Sequence, residues 1–224
     1  ISAMKDIKAI KGRFYIQRLI DEGEHSMQDF KFAITDAPKI ARSISAFANA
    51  EGGRLLVGVK DNGNIAGIRS EEDAYVVEQA AQMCCVPPQQ VRIDAFNVGQ
   101  GTVVLRVAIA KSDKRPVYCR EADGRLRAYF RVHDENIVAH PLMVRAWKTM
   151  AANGLPQLFS DFDSQLLAMV REAGVDGVDP DGVGRLCHVS AESACQAVVR
   201  LCASGLVEFA YSQSGFRLVV PVRD

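Results

Sequence analysis

The sequence lacks several features that mark membrane, secreted or nucleotide-hydrolysing proteins. Its 224 residues contain no run of about 18 apolar residues, so we expect no membrane span. The first residues do not combine a basic segment with an apolar stretch, which favours a cytoplasmic protein over a secreted one. No Gly-Lys pair occurs, and a phosphate-binding loop needs one between a strand and a helix. The sequence therefore argues against an ATP site.

Disulfide and metal patterns are also missing. The six cysteines form no Cys-x-x-Cys pair, and the four histidines do not lie at zinc-finger spacing from them. We therefore expect reduced thiols, no structural metal and no resident cofactor.

The net charge is zero, but the two parts of the chain differ in sign. Residues 1–150 contain 22 Lys and Arg against 18 Asp and Glu, whereas residues 151–224 contain 5 against 9. A polyanion should therefore prefer the first part.

The hydrophobic pattern predicts an α+β first domain over residues 1–148, with a sheet dominated by hairpins. The predicted helices cover residues 5–22, 38–50 and 70–85. The apolar anchors of the first helix are Ile7, Ile10, Phe14 and Leu19. Predicted strands cover residues 28–34, 54–59 and 64–68, followed by two hairpins that turn at residues 99–101 and 123–124.

Gly52 and Gly53 follow the second predicted helix and precede a strand. Phosphates bind at helix N-termini, whereas a helix C-terminus presents carbonyl groups and the negative end of the dipole. These glycines therefore predict a helix stop and close packing.

The rest of the chain predicts a small second domain at residues 161–224, after a linker at residues 149–160. Its predicted elements are helices at 163–173, 181–187 and 190–204, and strands at 206–211 and 216–220. Three helices followed by a two-stranded wing is the order of a winged helix-turn-helix domain.

The segment "KIARSISAFANAEGGRLLVGVKDNGNIAG" resembles the AlbA-like domain shared with the Schlafen proteins. The resemblance includes "EHSMQDFKFAI" before it and, more loosely, "RVAIAKSDKRPVYCR" and "AYFRVHDENIVA" after it, so that it covers roughly residues 14–148. It implies a mixed sheet with hairpins and packed helices. It also implies a DNA-binding or transcription-regulating module.

Some Schlafen relatives are ribonucleases with three clustered carboxylates, and the residues that match that site are Glu24, Asp29 and Asp61. Such carboxylates hold Mg²⁺ or Mn²⁺ against a phosphodiester. Asp29 stands where those nucleases have Glu, and Asp61 also suits a solvated hairpin turn. Binding is therefore favoured over catalysis, with metal-dependent RNA cleavage as an alternative.

A basic segment late in the first domain predicts a nucleic-acid surface. Residues 111–131 contain seven Lys and Arg against three acids, with aromatic residues between them that can stack on bases. A charged, solvated sheet edge fits this segment equally well. The predicted contacts are Lys39, Arg42, Lys111, Lys114, Arg115, Arg120, Arg125, Arg127 and Arg131.

The third helix of the second domain offers Gln196 and Arg200 for DNA contact. Because that domain is acidic, a protein-interaction or dimerisation module is the alternative.

We expect nucleic acid as the partner, DNA rather than RNA, and a homodimer that doubles a small footprint. The predicted role is transcriptional regulation, and a protein-binding adaptor remains a further alternative.

Overall fold

A computed structural model describes residues 9–153 and 159–222. The chain divides into two units, Ile1–Val138 and Ala139–Asp224. The helices of the first unit are α1 (Arg13–Asp21), α2 (Ala37–Asn49) and α3 (Glu72–Gln79), the last continued by a π-helical turn at Ala80–Cys84. Its strands are β1 (Ile10–Lys11), β2 (Gln28–Lys31), β3 (Gly53–Val57), β4 (Cys85–Val86), β5 (Val91–Gly99), β6 (Thr102–Ile109), β7 (Tyr118–Arg120), β8 (Leu126–Val132) and β9 (Glu135–Val138).

These strands form two sheets. The first has the order β1-β5-β6-β3-β2, and the second has the order β4-β7-β8-β9. β1 pairs with β5 and β2 pairs with β3 in parallel, whereas the other pairs are antiparallel. The predicted mixed α+β fold class is confirmed.

Helix α2 contacts both sheets and is buried nearly all round, because residues 43–49 are all buried. Its apolar side chains pack with Leu55 and Val57 of β3 and with Tyr129 of β8. On β3, Leu56 points the other way and packs with Ile16 and other residues of α1. Helices α1 and α2 therefore cover opposite faces of the first sheet.

Two polar side chains of α2 hold the backbone of the second sheet. The Asn49 Nδ2 group donates to the carbonyls of Val117 and Tyr129 at 2.8 and 2.7 Å, and Asn49 Oδ1 accepts from the Val117 N–H at 2.8 Å. Ser45 Oγ donates to the Val117 carbonyl at 2.8 Å and accepts from the Tyr129 N–H at 3.1 Å. The Asn of the "AFAN" segment therefore has an architectural role.

The double glycine ends α2, as predicted. Gly52 has a φ of +80°, which favours glycine. A Cβ atom at Gly53 would lie 2.4 Å from the Phe47 ring, so only glycine fits there.

Two local predictions about the first unit are wrong. The expected strand at 64–68 is reduced to a single bridge between Val59 and Ile65, because the N–H groups of Ala66 and Gly67 both donate to the carbonyl of Gly58 and turn the chain.

The second wrong prediction concerns two of the apolar anchors of the first helix, Phe14 and Ile10, whereas Leu19 is buried as predicted. Ile16, Leu19 and Ile20 form the buried stripe of α1, which leaves Phe14 on the outside with 92% of its surface exposed. Ile10 is also exposed, and it lies in β1 rather than in a helix. Ile7 is outside the described residues.

The second unit contains α4 (Pro141–Asn153), α5 (Asp161–Ala173), α6 (Val183–Leu186), α7 (Ala191–Ala203), β10 (Glu208–Ser212) and β11 (Gly215–Val219). β10 and β11 form an antiparallel hairpin, and Val178 adds a bridge to Leu218. Leu166, Val198 and Leu201 are central to its core. None of the helices in the described parts of the chain is both long and apolar enough to span a bilayer.

Helix occupies the first part of the predicted linker. α4 continues to Asn153 because its Leu142, Ala146 and Trp147 face is buried, and residues 154–158 lie outside the described part. Ser160 then begins α5 with a reciprocal cap formed with Asp163.

Candidate nucleic-acid interface

The β7–β8 hairpin packs beside the first turns of α2. The Cys119 thiol of β7 donates to the carbonyl of Pro38 in α2 at 3.4 Å. Arg42, one turn further along α2, places its Nε atom 3.1 Å from both carboxylate oxygens of Glu121, and its Nη2 atom also contacts that carboxylate. The guanidinium side chain is 42% exposed, whereas the Glu121 side chain is 8% exposed. The negative charge therefore lies beneath the positive one.

Tyr129 completes this arrangement. Its hydroxyl donates to Glu121 Oε1 at 2.5 Å, and the Arg42 guanidinium lies 6.0 Å from its ring centroid. Burial and the hydrogen bond to Glu121 raise the pKa of Tyr129 to about 12. Burial opposes ionisation of Glu121, but the hydrogen bonds from Arg42 and Tyr129 lower the pKa of that carboxyl. Glu121 is therefore ionised at neutral pH and fixes the orientation of Arg42.

Further cations lie on the two elements that carry this ion pair, α2 and the β7–β8 hairpin. Lys39, Arg120 and Arg127 are exposed, and Arg127 lies close enough to Glu121 to help lower its pKa. Arg125, at the tip of the hairpin, forms an exposed ion pair with Asp123. We name this set the hairpin patch; it consists of Lys39, Arg42, Arg120, Arg125 and Arg127.

The other predicted cations are separated from the hairpin patch. Lys111 pairs with Glu51 at 2.7 Å, and Arg115 donates to the carbonyl of Asn49 at 3.3 Å, both near the C-terminal end of α2. Lys114 is exposed on the same loop. The 13 residues of α2 span about 20 Å between its two ends. Lys111, Lys114 and Arg115 therefore do not form one continuous strip with the hairpin patch, because the chain crosses the length of α2 between residues 111 and 120.

Arg131 is buried rather than presented to a ligand. Its Nη2 atom lies 3.6 Å from Asp29 Oδ1, and its Nη1 atom donates to Asn136 Oδ1 at 3.0 Å. The guanidinium also lies 5.0 Å from the centroid of the Phe47 ring. Because its side chain is 1% exposed, Arg131 cannot contact a phosphate at the surface of this structure.

Glu24 and Asp29 lie together at the start of β2. Glu24 Oε1 accepts from the Phe30 N–H at 2.8 Å, and Lys31 Nζ lies 2.7 Å from Asp29 Oδ2. Burial and then the neighbouring Asp29 carboxyl raise the pKa of Glu24. Ser43 Oγ, which the sequence did not indicate, donates to Asp29 at 3.3 Å. The sequence signal that could have identified Ser43 is a polar residue next to the apolar positions of the α2 pattern.

Asp61, the third predicted acid, stands on an exposed turn after β3. Within residues 9–153 and 159–222, no group of three or more His, Cys, Asp and Glu side chains is placed to hold a metal ion. The structure therefore brings two of the three predicted acids together and leaves Asp61 apart from them.

The two predicted contacts of the second unit differ in accessibility. Gln196 is exposed on α7, and its Nε2 atom donates to Glu192 at 3.2 Å. Arg200 donates three hydrogen bonds of 2.9 to 3.2 Å to Asp163, whose side chain is completely buried. The hydrogen bonds from Arg200 and Ser160 lower the pKa of Asp163, although burial acts in the opposite direction. Arg200 is therefore engaged within the fold.

Comparison with known proteins gives one family match. Residues 24–140 match the family described as Schlafen, AlbA_2. Among solved structures, the DIP2311 protein from Corynebacterium diphtheriae has 18% identity and a TM-score of 0.43; the match covers 86% of this chain and 34% of that one. The N-terminal domain of a RecG-related protein from Nitrosomonas europaea has 20% identity and a TM-score of 0.39, with 59% and 97% covered. No match was found among curated proteins.

Proposed function

The chain belongs to the Schlafen, AlbA_2 family, and on that premise we propose that its first unit binds nucleic acid, DNA in preference to RNA, through the hairpin patch. The observation that supports this proposal is the layering of Arg42 over Glu121. Because the carboxylate is buried beneath the guanidinium, the neutralising charge is withdrawn from the surface. Arg120 and Arg127 then add exposed cations on the same hairpin.

Such a surface recognises phosphates rather than bases. Lysine and arginine side chains fix a protein on the sugar–phosphate backbone without reading the sequence. Arg42 is suited to this task because Glu121 holds one side of its guanidinium, which reduces the conformational entropy lost on binding. We therefore expect binding with weak sequence preference and a strong dependence on salt.

The test compares two matched pairs of substitutions in a duplex DNA binding assay at several salt concentrations. Arg120→Ala with Arg127→Ala should lower the affinity, and should reduce the slope of log K against log salt by about 0.9 for each lost phosphate contact. Lys111→Ala with Lys114→Ala is the control, because these lysines lie beyond the opposite end of α2. Equal losses in the two pairs, or no binding at low salt, would contradict the proposal.

We propose transcriptional regulation as the biological role, with the second unit as a winged-helix module that mediates dimerisation or another protein contact. The order of α5, α6, α7 and the β10–β11 hairpin supports the winged-helix assignment. Arg200 is held by Asp163, and Gln196 lies beside Glu192, so α7 offers little to DNA. Light scattering after size exclusion should give the mass of a dimer, and a monomer at high concentration would contradict dimerisation.

Metal-dependent RNA cleavage is the second candidate, and the contact between Glu24 and Asp29 favours it. Two adjacent carboxyls can hold a divalent ion once both are ionised. Incubation with structured RNA in Mg²⁺ or Mn²⁺ distinguishes cleavage from binding.

A further inference from the structure

The outer face of α1 carries a second set of cations around an exposed aromatic ring. Ile16, Leu19 and Ile20 face the first sheet and are buried. Residues 13, 14, 17 and 18 lie on the opposite side of the helix at spacings of one, three and four. We name this surface the α1 face; it consists of Arg13, Phe14, Gln17 and Arg18.

Phe14 is the aromatic residue of the α1 face, and it is 92% exposed. A phenylalanine in this position leaves a large apolar area in water, and its removal from water would be favourable. Tyr75 provides a contrast, since it is 56% exposed on α3 but follows the acidic residues Glu71, Glu72 and Asp73. Phe14 instead lies next to Arg13 and one turn before Arg18.

The cations of the α1 face are not neutralised by the fold. Arg13 and Arg18 are exposed, and neither of them forms an ion pair with a carboxylate in the described parts of the chain. Gln17 donates at 2.9 Å to Asp21, an acid in the last turn of α1. This differs from the hairpin patch, where Arg42 and Arg125 each have a carboxylate partner.

We propose that the α1 face binds single-stranded nucleic acid, with a base stacked on Phe14 and the flanking phosphates contacted by Arg13 and Arg18. Cations interleaved with an exposed ring are the elements that bind single strands without sequence preference. A duplex hides the faces of its bases, so it can use the cations but not the ring. A membrane surface or an apolar helix fits less well, because one ring beside two charges offers little apolar area.

Binding at the α1 face rests on the proposed function, because both involve nucleic acid. The α1 face, however, lies on the other side of the first sheet from α2. A strand held there would add to the affinity of the hairpin patch for a partly unwound substrate. The two surfaces can therefore be tested separately in the full chain.

The experiment measures binding of a short single-stranded oligonucleotide containing 2-aminopurine, and of the matched duplex. Phe14→Ala should weaken single-strand binding at least about fivefold and remove the fluorescence quenching caused by stacking. It should leave duplex affinity within about twofold. Phe14→Trp should retain both the affinity and the quenching. Tyr75→Ala is the control and should change neither.

Phe14→Leu separates stacking from apolar contact, because leucine keeps an apolar side chain but has no ring. It also serves as a second variant should Phe14→Ala fail to fold. It should behave like Phe14→Ala. Unchanged single-strand binding in Phe14→Ala, or equal loss on duplex and single strand, would overturn the inference. If no nucleic acid binds at all, the proposed function is wrong. If duplex binding depends on Arg120 and Arg127 but single-strand binding does not depend on Phe14, only the role of the α1 face is wrong.

Discussion

Arg131 and Asp29 form an ion pair between β8 and β2 in which both side chains are almost completely buried, with Nη2 and Oδ1 separated by 3.6 Å. The two residues are far apart in sequence, and the pair joins the second sheet to the first. Arg131 also donates to Asn136, and Asn136 donates to Ser43 of α2. Arg131 and Asn136 therefore belong to one polar network that connects the two sheets and α2.

This network makes Arg131 a structural residue, and its removal should be strongly destabilising. Arg131→Ala leaves Asp29 buried with Lys31 as its remaining cation, and it also deprives the Gln28 carbonyl of a donor. We expect a loss of about 3–5 kcal/mol in the free energy of unfolding, measured by urea denaturation. Arg127→Ala, on the same strand but exposed, should change it by less than about 0.5 kcal/mol. Similar effects of the two substitutions would contradict this assignment.

Much of the local structure could be predicted from the sequence. The helical spacing of Ile40, Ile44 and Phe47 gives α2, and Gly52–Gly53 ends it, because these effects depend on neighbours along the chain. The hairpins at residues 99–101 and 123–124 follow from turn residues in the same way.

The candidate site was less predictable because its contacts are long-range. Arg42 and Glu121 are 79 positions apart, so the sequence could not show that the acid lies beneath the cation. Phe14 was expected in the core because it is apolar, but Ile16, Leu19 and Ile20 form the buried stripe of α1 and leave the Phe14 ring on the opposite side, in solvent. The spacing of Ile16, Leu19 and Ile20, three and four residues apart, was the sequence signal for that stripe.

Asn49 should be essential for attaching the second sheet to α2. Asn49→Ala leaves the Val117 N–H without its partner and weakens the bonding of the Tyr129 carbonyl. We expect a loss of about 1–3 kcal/mol for each buried group left unpaired, measured by thermal or urea unfolding. Asn62→Ala, on an exposed turn, is the control and should lose less than about 1 kcal/mol. A negligible effect of Asn49→Ala would show that the sheet is held by its apolar contacts alone.

Glu24 should make stability depend on pH with a defined sign. Because burial and Asp29 raise its pKa, the folded protein holds this proton more tightly than the unfolded chain does. Its favourable contribution is fully present below the ordinary glutamate pKa and is lost as pH rises through the raised value. Glu24→Gln imitates the protonated form, so it should gain stability relative to wild type as pH rises through this window. A urea midpoint difference that stays constant with pH would contradict the shift.

Divalent ions should not stabilise the protein, since Asp61 does not join Glu24 and Asp29. An ion bound to the folded state at a hundredfold excess over its dissociation constant would add about 2.7 kcal/mol. We expect no increase in the unfolding midpoint with Mg²⁺ or Mn²⁺, and intact RNA after incubation. An increase in midpoint together with RNA cleavage, both lost in Asp61→Ala, would instead establish the nuclease alternative.

Arg200 and Gln196 should respond differently to substitution, because only Arg200 is engaged by a buried acid. Arg200→Ala leaves the carboxylate of Asp163 with the Ser160 cap but without its cation, and we expect a loss of about 3 kcal/mol or more in unfolding free energy. Gln196→Ala should be neutral in stability, since its side chain is exposed. Neither substitution should change duplex DNA affinity when measured on folded protein. A loss of affinity in Gln196→Ala at unchanged stability would place α7 at the DNA after all.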